Sequence, residues 1–484
     1  MDDFKKEKIN SVMNEEEEDK LEMVCKWIFE DGRYTPDYNI PKIELGGKFS
    51  PKPFADEIQK FYKFKYDNFR RFWVWDRDSG LWLEDAENFI KKQLRDNLLF
   101  NNTLKTHYVE EIMSHIKDTS WTRELPEDVD KNIIAFKNCL GNIDTGEMIP
   151  FDEKYFITSK INLDLNPTYK TCPKIDKFFE DIVGFKNKSM LYDLIAYCFF
   201  RGYYYQKMFI LHGGGENGKT TYLDLLTYCL GKQNVSSETP QELCAEGGFS
   251  KGYLWGKFAN VSSELPYSAL NDTDAIKSLS GDEGTIKCNR KFKEPFNFKS
   301  FAKLIFAGNE LPATNDNTYA FARRLYIIKF PKKIENPIRG FLDTLLTKEE
   351  LCGLAWICFQ RLRLMKERGW CFEIDVNVEE MLKTYEELSN PLSKFLKDET
   401  EDGDEEFIFK YEFKQDFESW CKGRNFRIWG DSELHRFMKE KYSEGKRSVY
   451  INNEQKRYNA WIGLKFKNKV SSNKTDLEID FQKI

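Results

Sequence analysis

No run of apolar residues in this chain is long enough to span a bilayer, and the opening Met1-Asp2-Asp3-Phe4-Lys5-Lys6 is not a charged-then-apolar signal. A soluble, intracellular protein without a membrane partner is the expectation. The eleven cysteines contain no Cys-x-x-Cys pair and have no histidine close by in sequence, which argues for reduced, buried thiols rather than a disulfide framework. Nor is there an overall excess of positive charge. At a formal net charge of −6, any contact with a polyanion has to come from locally basic surface.

What is present is an ordinary globular composition: 40% hydrophobic, 32% charged and 15% aromatic over 484 residues. That length predicts three domains, divided as 1–170, 171–335 and 336–484. The first twenty or so residues, including Glu15 to Glu18, read as a solvated tail. The stretch Phe72-Trp73-Val74-Trp75, the turn Asp76-Arg77-Asp78-Ser79-Gly80 and Leu81-Trp82 predict a hairpin whose aromatics fill a core instead of stacking on bases. A second hairpin is expected across Ile134 to Phe136 and Gly141 to Met148, making the first domain α+β. Pro167, Cys172 and Pro173 break the chain near residue 170, and helical apolar spacing follows from Ile175 to Gln206.

The informative part begins at Met208-Phe209-Ile210-Leu211, a short apolar strand. It runs into Gly213-Gly214-Gly215-Glu216-Asn217-Gly218-Lys219-Thr220-Thr221, which satisfies G-x-x-x-x-G-K-[ST] in full. Glycines let backbone N–H groups turn inward around phosphate oxygens. Lys219 neutralises the β and γ phosphates of ATP, and Thr220 offers a hydroxyl to Mg²⁺ at the start of a helix. A nucleotide motor also needs a carboxylate at the end of a neighbouring strand. The apolar run Phe258 to Ser262 delivers Glu264 as general base and metal organiser.

A third apolar strand, Lys303 to Gly308, ends in Asn309, an amide placed to bond the γ phosphate or the lytic water. Arg323-Arg324 precede a fourth, Leu325 to Ile328. A guanidinium there can reach a γ phosphate bound by an adjacent subunit, with Arg324 the preferred member of the pair. A glycine-rich turn, a surface glutamate and ordinary surface arginines are the bland readings of these signals, and their occurrence in order weakens each.

The order and spacing of these motifs, with Ile276 to Ile286 and Phe301 to Asn309 between them, resemble the superfamily 3 helicases. Specifically, they resemble the helicase part of the phage and plasmid primase family related to poxvirus primase-helicases. The resemblance is strong over 205–332 and weaker over Val74 to Leu83 and Asn138 to Pro150. It implies an AAA+-like α/β phosphate-loop core, a hexameric ring around DNA and nucleotide sites shared between subunits. One departure is Ser263, where many members carry a second acid. No cluster of paired metal-binding acids precedes residue 170, so the primase or polymerase is expected to be a separate partner.

Two short strands around a basic tip, Thr285 to Phe296, are similar to the family's channel hairpin. Lys287, Arg290, Lys291 and Lys293 would then contact phosphates of single-stranded or forked DNA without reading bases, with Lys277 a weaker candidate. The last third predicts helices and then strands at Arg447 to Tyr450 and Ala460 to Phe466, a winged-helix-like arrangement. Basic residues of the helix around Leu434 to Tyr442, continued by Lys446 and Arg447, are compatible with duplex binding or with a solvated face.

The leading expectation is an ATP-hydrolysing DNA helicase for replication of a virus or plasmid, working in host cytoplasm or at a viral replication site. The alternatives are an origin-binding or DNA-remodelling ATPase without processive unwinding, and a non-catalytic subunit that binds nucleotide only to hold a ring together.

Overall fold

The computed structural model describes residues 26–467 apart from 31–32, 38–49, 85–86, 89, 92–105, 246–248, 267–269, 271–272, 282–284, 291–292, 310, 313, 315, 317, 336, 424–425, 427 and 452–453. The expected N-terminal tail lies outside these residues. The chain divides into two compact units, Met1–Pro167 and Thr168–Ile484. Among the described residues no helix is long and apolar enough to cross a membrane.

In the first unit, β1 (Lys26–Glu30) and β2 (Arg33–Asp37) form an antiparallel hairpin. A three-stranded antiparallel sheet follows: β3 (Phe64–Tyr66), β4 (Phe72–Asp76) and β5 (Leu81–Glu84). The helices Pro51–Phe61 and Thr106–Thr119 supply Phe54, Ile58, Val109, Ile112 and Ile116 to a core that receives Phe72 and Val74 from β4. Trp73 and Trp75 point to the other face and pack with Trp82 and Phe156. All four residues of Phe72 to Trp75 are buried, so this aromatic run is core. The turn after β4 is held by the Asp76 carboxylate, which accepts the backbone N–H groups of Asp78 and Ser79. The second hairpin appears as β6 (Ile133–Ala135), β7 (Leu140–Asn142) and β8 (Met148–Ile149).

The second unit is built on a parallel sheet in the order β10-β11-β14-β9-β15. Its strands are β9 (Met208–His212), β10 (Val235–Ser236), β11 (Ala259–Ser262), β14 (Lys303–Gly308) and β15 (Leu325–Lys329). β12 (Thr285–Arg290) and β13 (Lys293–Lys299) form a separate antiparallel hairpin between β11 and β14 in the chain. The sheet strands read as nearly continuous apolar runs because both faces are covered. Phe209, Leu211, Leu304, Ile305, Leu325 and Tyr326 are fully buried. Each such side chain contributes roughly 1.5–3 kcal/mol by leaving water.

The helical stretch before β9 is two helices, Pro173–Val183 and Lys188–Phe199, interrupted by Gly184 at φ 87°. The first lacks a capping side chain of its own. The buried Glu350 carboxylate, on the helix Lys348–Glu367, instead accepts the N–H groups of Lys174 and Ile175. The C-terminal part has its own core, with Phe395, Phe413, Phe417, Met438, Trp461 and Leu464 fully buried. Helices Lys410–Gly423 and Asp431–Lys441 pack there beside the antiparallel sheet β16-β18-β17, formed by Thr400–Phe409, Glu454–Phe466 and Ser443–Ile451.

Candidate functional site

In an open parallel sheet, loops leaving the C-terminal ends of adjacent strands converge on one edge. Here β14 lies between β11 and β9, and the register pairs Ser262 with Phe306 and Gly308 with His212. The three strands therefore deliver Glu264, Asn309 and the 213–218 loop to the same edge. A cavity of about 750 Å³ opens there, lined by Gly215 to Thr221, Ser263, Glu264, Gly308 and Asn309 among others.

The loop's shape depends on two glycines in particular. A Cβ on Gly213 would lie 1.9 Å from the Asn217 side-chain nitrogen, which crosses that position to donate to Phe330 O at 3.2 Å. Gly218 has φ 82°, and a Cβ there would meet Ile182 at 2.6 Å. Only glycine meets both conditions. Gly218 then starts the helix Lys219–Leu230, whose N-terminal end faces the cavity.

Lys219 is nearly buried, and its Nζ donates to Gly213 O at 2.7 Å, Asn217 Oδ1 at 3.0 Å and Asn309 Oδ1 at 3.1 Å. All three acceptors are neutral. Burial lowers the lysine's pKa, and among the described residues no carboxylate offsets that effect. An ammonium held this way uses its three donors without cancelling its charge, so the cavity favours an anion. His212, at the end of β9, also has a lowered pKa. Burial is the main cause, reinforced by the charges of Lys219, Lys329 and Lys394 and opposed by a hydrogen bond with the Asn309 backbone.

Thr220 and Glu264 are exposed at the cavity. Among the described residues no group of three or more His, Cys, Asp and Glu side chains is arranged to hold a metal. The cysteines whose side chains are described are free thiols, and burial pushes Cys172 and Cys198 up to about 12.

Sequence reasoning missed the segment after β15. Phe330 N–H donates to His212 O and Ile334 N–H to Glu216 O, each at 2.7 Å, while Lys333 pairs with Glu216 at 2.8 Å. This strap brings Ile334 and Pro337 into the cavity wall, which Leu265 and Pro266 also line. Thr239 also lines the cavity, and its hydroxyl caps the helix Pro240–Cys244. Backbone pairing of this kind leaves no residue-type signal, so nothing in Pro331 to Pro337 announced it.

The arginine pair sits elsewhere. Both residues precede β15, at the N-terminal edge of the sheet, and neither lines the cavity. Arg324, the member preferred from sequence, is occupied internally. Its Nε donates to Lys277 O at 3.1 Å and Ser280 Oγ at 2.9 Å, and Nη1 donates to Ala320 O at 2.8 Å. Burial, followed by the neighbouring Arg323 charge, depresses its pKa. Arg323 is the exposed member.

Lys277 is engaged as well, 2.6 Å from Asp274 and 3.0 Å from Asp316. Its charge is thus locally matched, which weakens the expectation that it contacts DNA. Lys287 is exposed on β12. Arg290 and Lys293 face one another in the backbone register at the hairpin tip. Lys291 lies outside the described residues.

Residues 211–324 match the model of a family of unknown function, DUF5906, and residues 52–184 match the D5 N terminal like model. The chain is 28% identical over 275 residues to the "Putative helicase L207/L206" of Acanthamoeba polyphaga mimivirus. That alignment takes in 51% of this chain and 26% of the relative, so the chain spans about a quarter of the length of the curated relative it matches. Among solved structures, two apo forms of the NrS-1 C-terminal region are similar at 14% identity, with TM-scores of 0.46 and 0.45. Each alignment covers 86% of this chain and 100% of the other.

Proposed function

We propose that this chain is an ATP-dependent DNA helicase of the superfamily 3 type, acting in replication of a virus or plasmid as a hexameric ring beside a separate primase or polymerase. The observation that carries this reading is the buried Lys219 ammonium, held by three neutral oxygens among the described residues at a cavity that also receives Thr220, Glu264 and Asn309. The D5 N terminal like segment and the similarity to a viral putative helicase support the same class.

A γ phosphate reaching Lys219 has to displace one of its three acceptors. Gly213 and Asn217 belong to the loop itself, so the bond to Asn309 is the one to yield. Its amide then turns toward the phosphate or the attacking water, and nucleotide arrival is registered at the end of β14. Beyond Asn309, Leu311 O accepts from Lys394 Nζ at 2.6 Å and Pro312 O from Tyr385 at 2.7 Å. Asp316 joins the same segment to Lys277 and Thr273. A shift at Asn309 thus has bonded routes toward the C-terminal helices and toward the segment that leads into the β12–β13 hairpin.

Mg²⁺ fits this donor set, because it needs few protein oxygens when phosphates and water complete its shell. Thr220 and Glu264 would hold it, and when bound it offsets phosphate charge. Glu264 orients the water. The arginine pair lies at the sheet edge away from its own cavity, so a guanidinium from it serves a neighbouring copy, with Arg323 the residue presented.

DNA-stimulated ATP hydrolysis and displacement of a strand from a forked duplex test the reading. Wild-type unwinding by a Glu264→Gln variant would sink it.

A further inference from the structure

The β17–β18 hairpin is much longer than its sheet requires. β16 pairs with β18 only from Ala460 onward. Beyond that point six residue pairs, Lys446↔Asn459 to Ile451↔Glu454, continue as a ribbon of two strands. At about 3.4 Å per residue this ribbon reaches roughly 20 Å. Among the described residues the core beneath is filled by Ala460, Trp461 and Leu464 from the inner part of β18, and no ribbon residue enters it.

Charge is concentrated on the projecting part. Residues 446–457 carry Lys446, Arg447, Lys456 and Arg457 against the single acid Glu454, in a chain whose net charge is −6. All four cations are exposed, and among the described residues none makes an ion pair. The preceding helix Asp431–Lys441 differs. Its three Lys and Arg residues are matched by Asp431, Glu433 and Glu440, and its His435 is paired with Glu444 at 2.6 Å. The structure therefore separates two features that are continuous in sequence and puts the uncompensated charge on the hairpin.

The register divides the cations between two faces. Arg447 lies opposite Tyr458 and shares its face with Lys456, while Lys446 and Arg457 occupy the other. A flat polyanionic surface would meet only one such pair. A groove walled by two phosphate rows meets both, and the major groove of a duplex is wide enough for a two-stranded ribbon. The root of the ribbon is braced by Tyr458 against Phe409 and Tyr411, with ring centroids 5.8 and 5.5 Å apart, so its direction is set before any partner arrives.

We infer that the β17–β18 ribbon is a blade that enters a groove of duplex DNA and holds the phosphate rows on both sides through Lys446, Arg447, Lys456 and Arg457. The inference takes its ligand class from the proposed function but does not require ATP hydrolysis, so it is tested on the full chain carrying Lys219→Ala.

Fluorescence anisotropy with a labelled duplex of about 30 base pairs, and with one of its strands alone, gives affinity as a function of salt. The fourfold variant K446A/R447A/K456A/R457A should lose at least ~30-fold in duplex affinity, with a smaller loss for the single strand. Its slope of log K against log salt should fall by about 3–4, since each lost phosphate contact removes about 0.9. Arg457→Glu alone should lose about tenfold, and the charge-keeping pair K446R/K456R should bind as the parent does. An unchanged duplex affinity and salt slope in the fourfold variant would overturn the inference, as would equal losses on duplex and single strand. Absence of strand displacement by the chain with Lys219 intact, while the blade still binds duplex, would instead count against the helicase reading alone.

Discussion

The two edges of the parallel sheet handle buried positive charge in opposite ways. At the C-terminal edge, Lys219 is held by neutral oxygens beside an open cavity. At the N-terminal edge, Lys303, the first residue of β14, is fully buried. Its ammonium donates to Phe200 O and Phe301 O and lies 4.6 Å from the Tyr197 ring centroid. Arg324, just before β15, is tied to Lys277, Ser280 and Ala320. One edge leaves a cation able to exchange a partner for an incoming anion. At the other edge these cations serve as internal struts, so burial of a basic residue identifies a site only where space adjoins it.

The sharpest break of this contrast is Lys219→Ala. Hydrolysis should fall by ~10³-fold, about 4 kcal/mol of transition-state stabilisation, with thermal stability nearly unchanged; steady-state ATPase and a melting curve check both halves. Lys303→Met should behave in the reverse manner. It leaves one buried and one partly buried carbonyl without that donor and should cost about 2–4 kcal/mol in a denaturant titration. Nucleotide affinity of the folded fraction should be retained.

The arginine pair refines the N-terminal edge. Arg324→Ala should destabilise by about 2 kcal/mol, whereas Arg323→Ala should change stability by under about 0.5 kcal/mol. Arg323→Ala should nonetheless slow hydrolysis in the assembled state by ~10²-fold. Equal stability losses for the two would remove the distinction.

The smallest expected effect is a pH dependence. Burial holds His212 below its ordinary pKa, so the native state disfavours its charged form. The associated stability is fully present above about pH 6.5 and is lost as pH falls through the lower, native value. Chemical denaturation across that range should show His212→Gln with a flatter profile than the parent.

The residues brought to the cavity show how far the chain could be read. Lys219, Thr220, Glu264 and Asn309 were legible because each follows a short apolar strand, and parallel strands present their ends on one side. The strap from Phe330 to Pro337 was not, because it binds through backbone N–H groups and carbonyls that every residue type carries. The same holds for Glu350, which caps a helix from 176 residues away. The roles of Arg323 and Arg324 could not be divided from sequence either: adjacent residues share composition and differ only in where the turn before β15 aims them.

By itself the sequence determined the strand order along the chain, the glycine-rich loop and the residue types at the ends of the core strands, because apolar periodicity and turn chemistry are local properties. The tertiary structure alone decided which cations are tied to internal partners. Lys277 found Asp316, Arg324 found Ser280 and Lys303 found two carbonyls, while the blade cations found no ion-pair partner among the described residues. The physical reason is that charge acts over a few ångströms of space, whatever the separation along the chain.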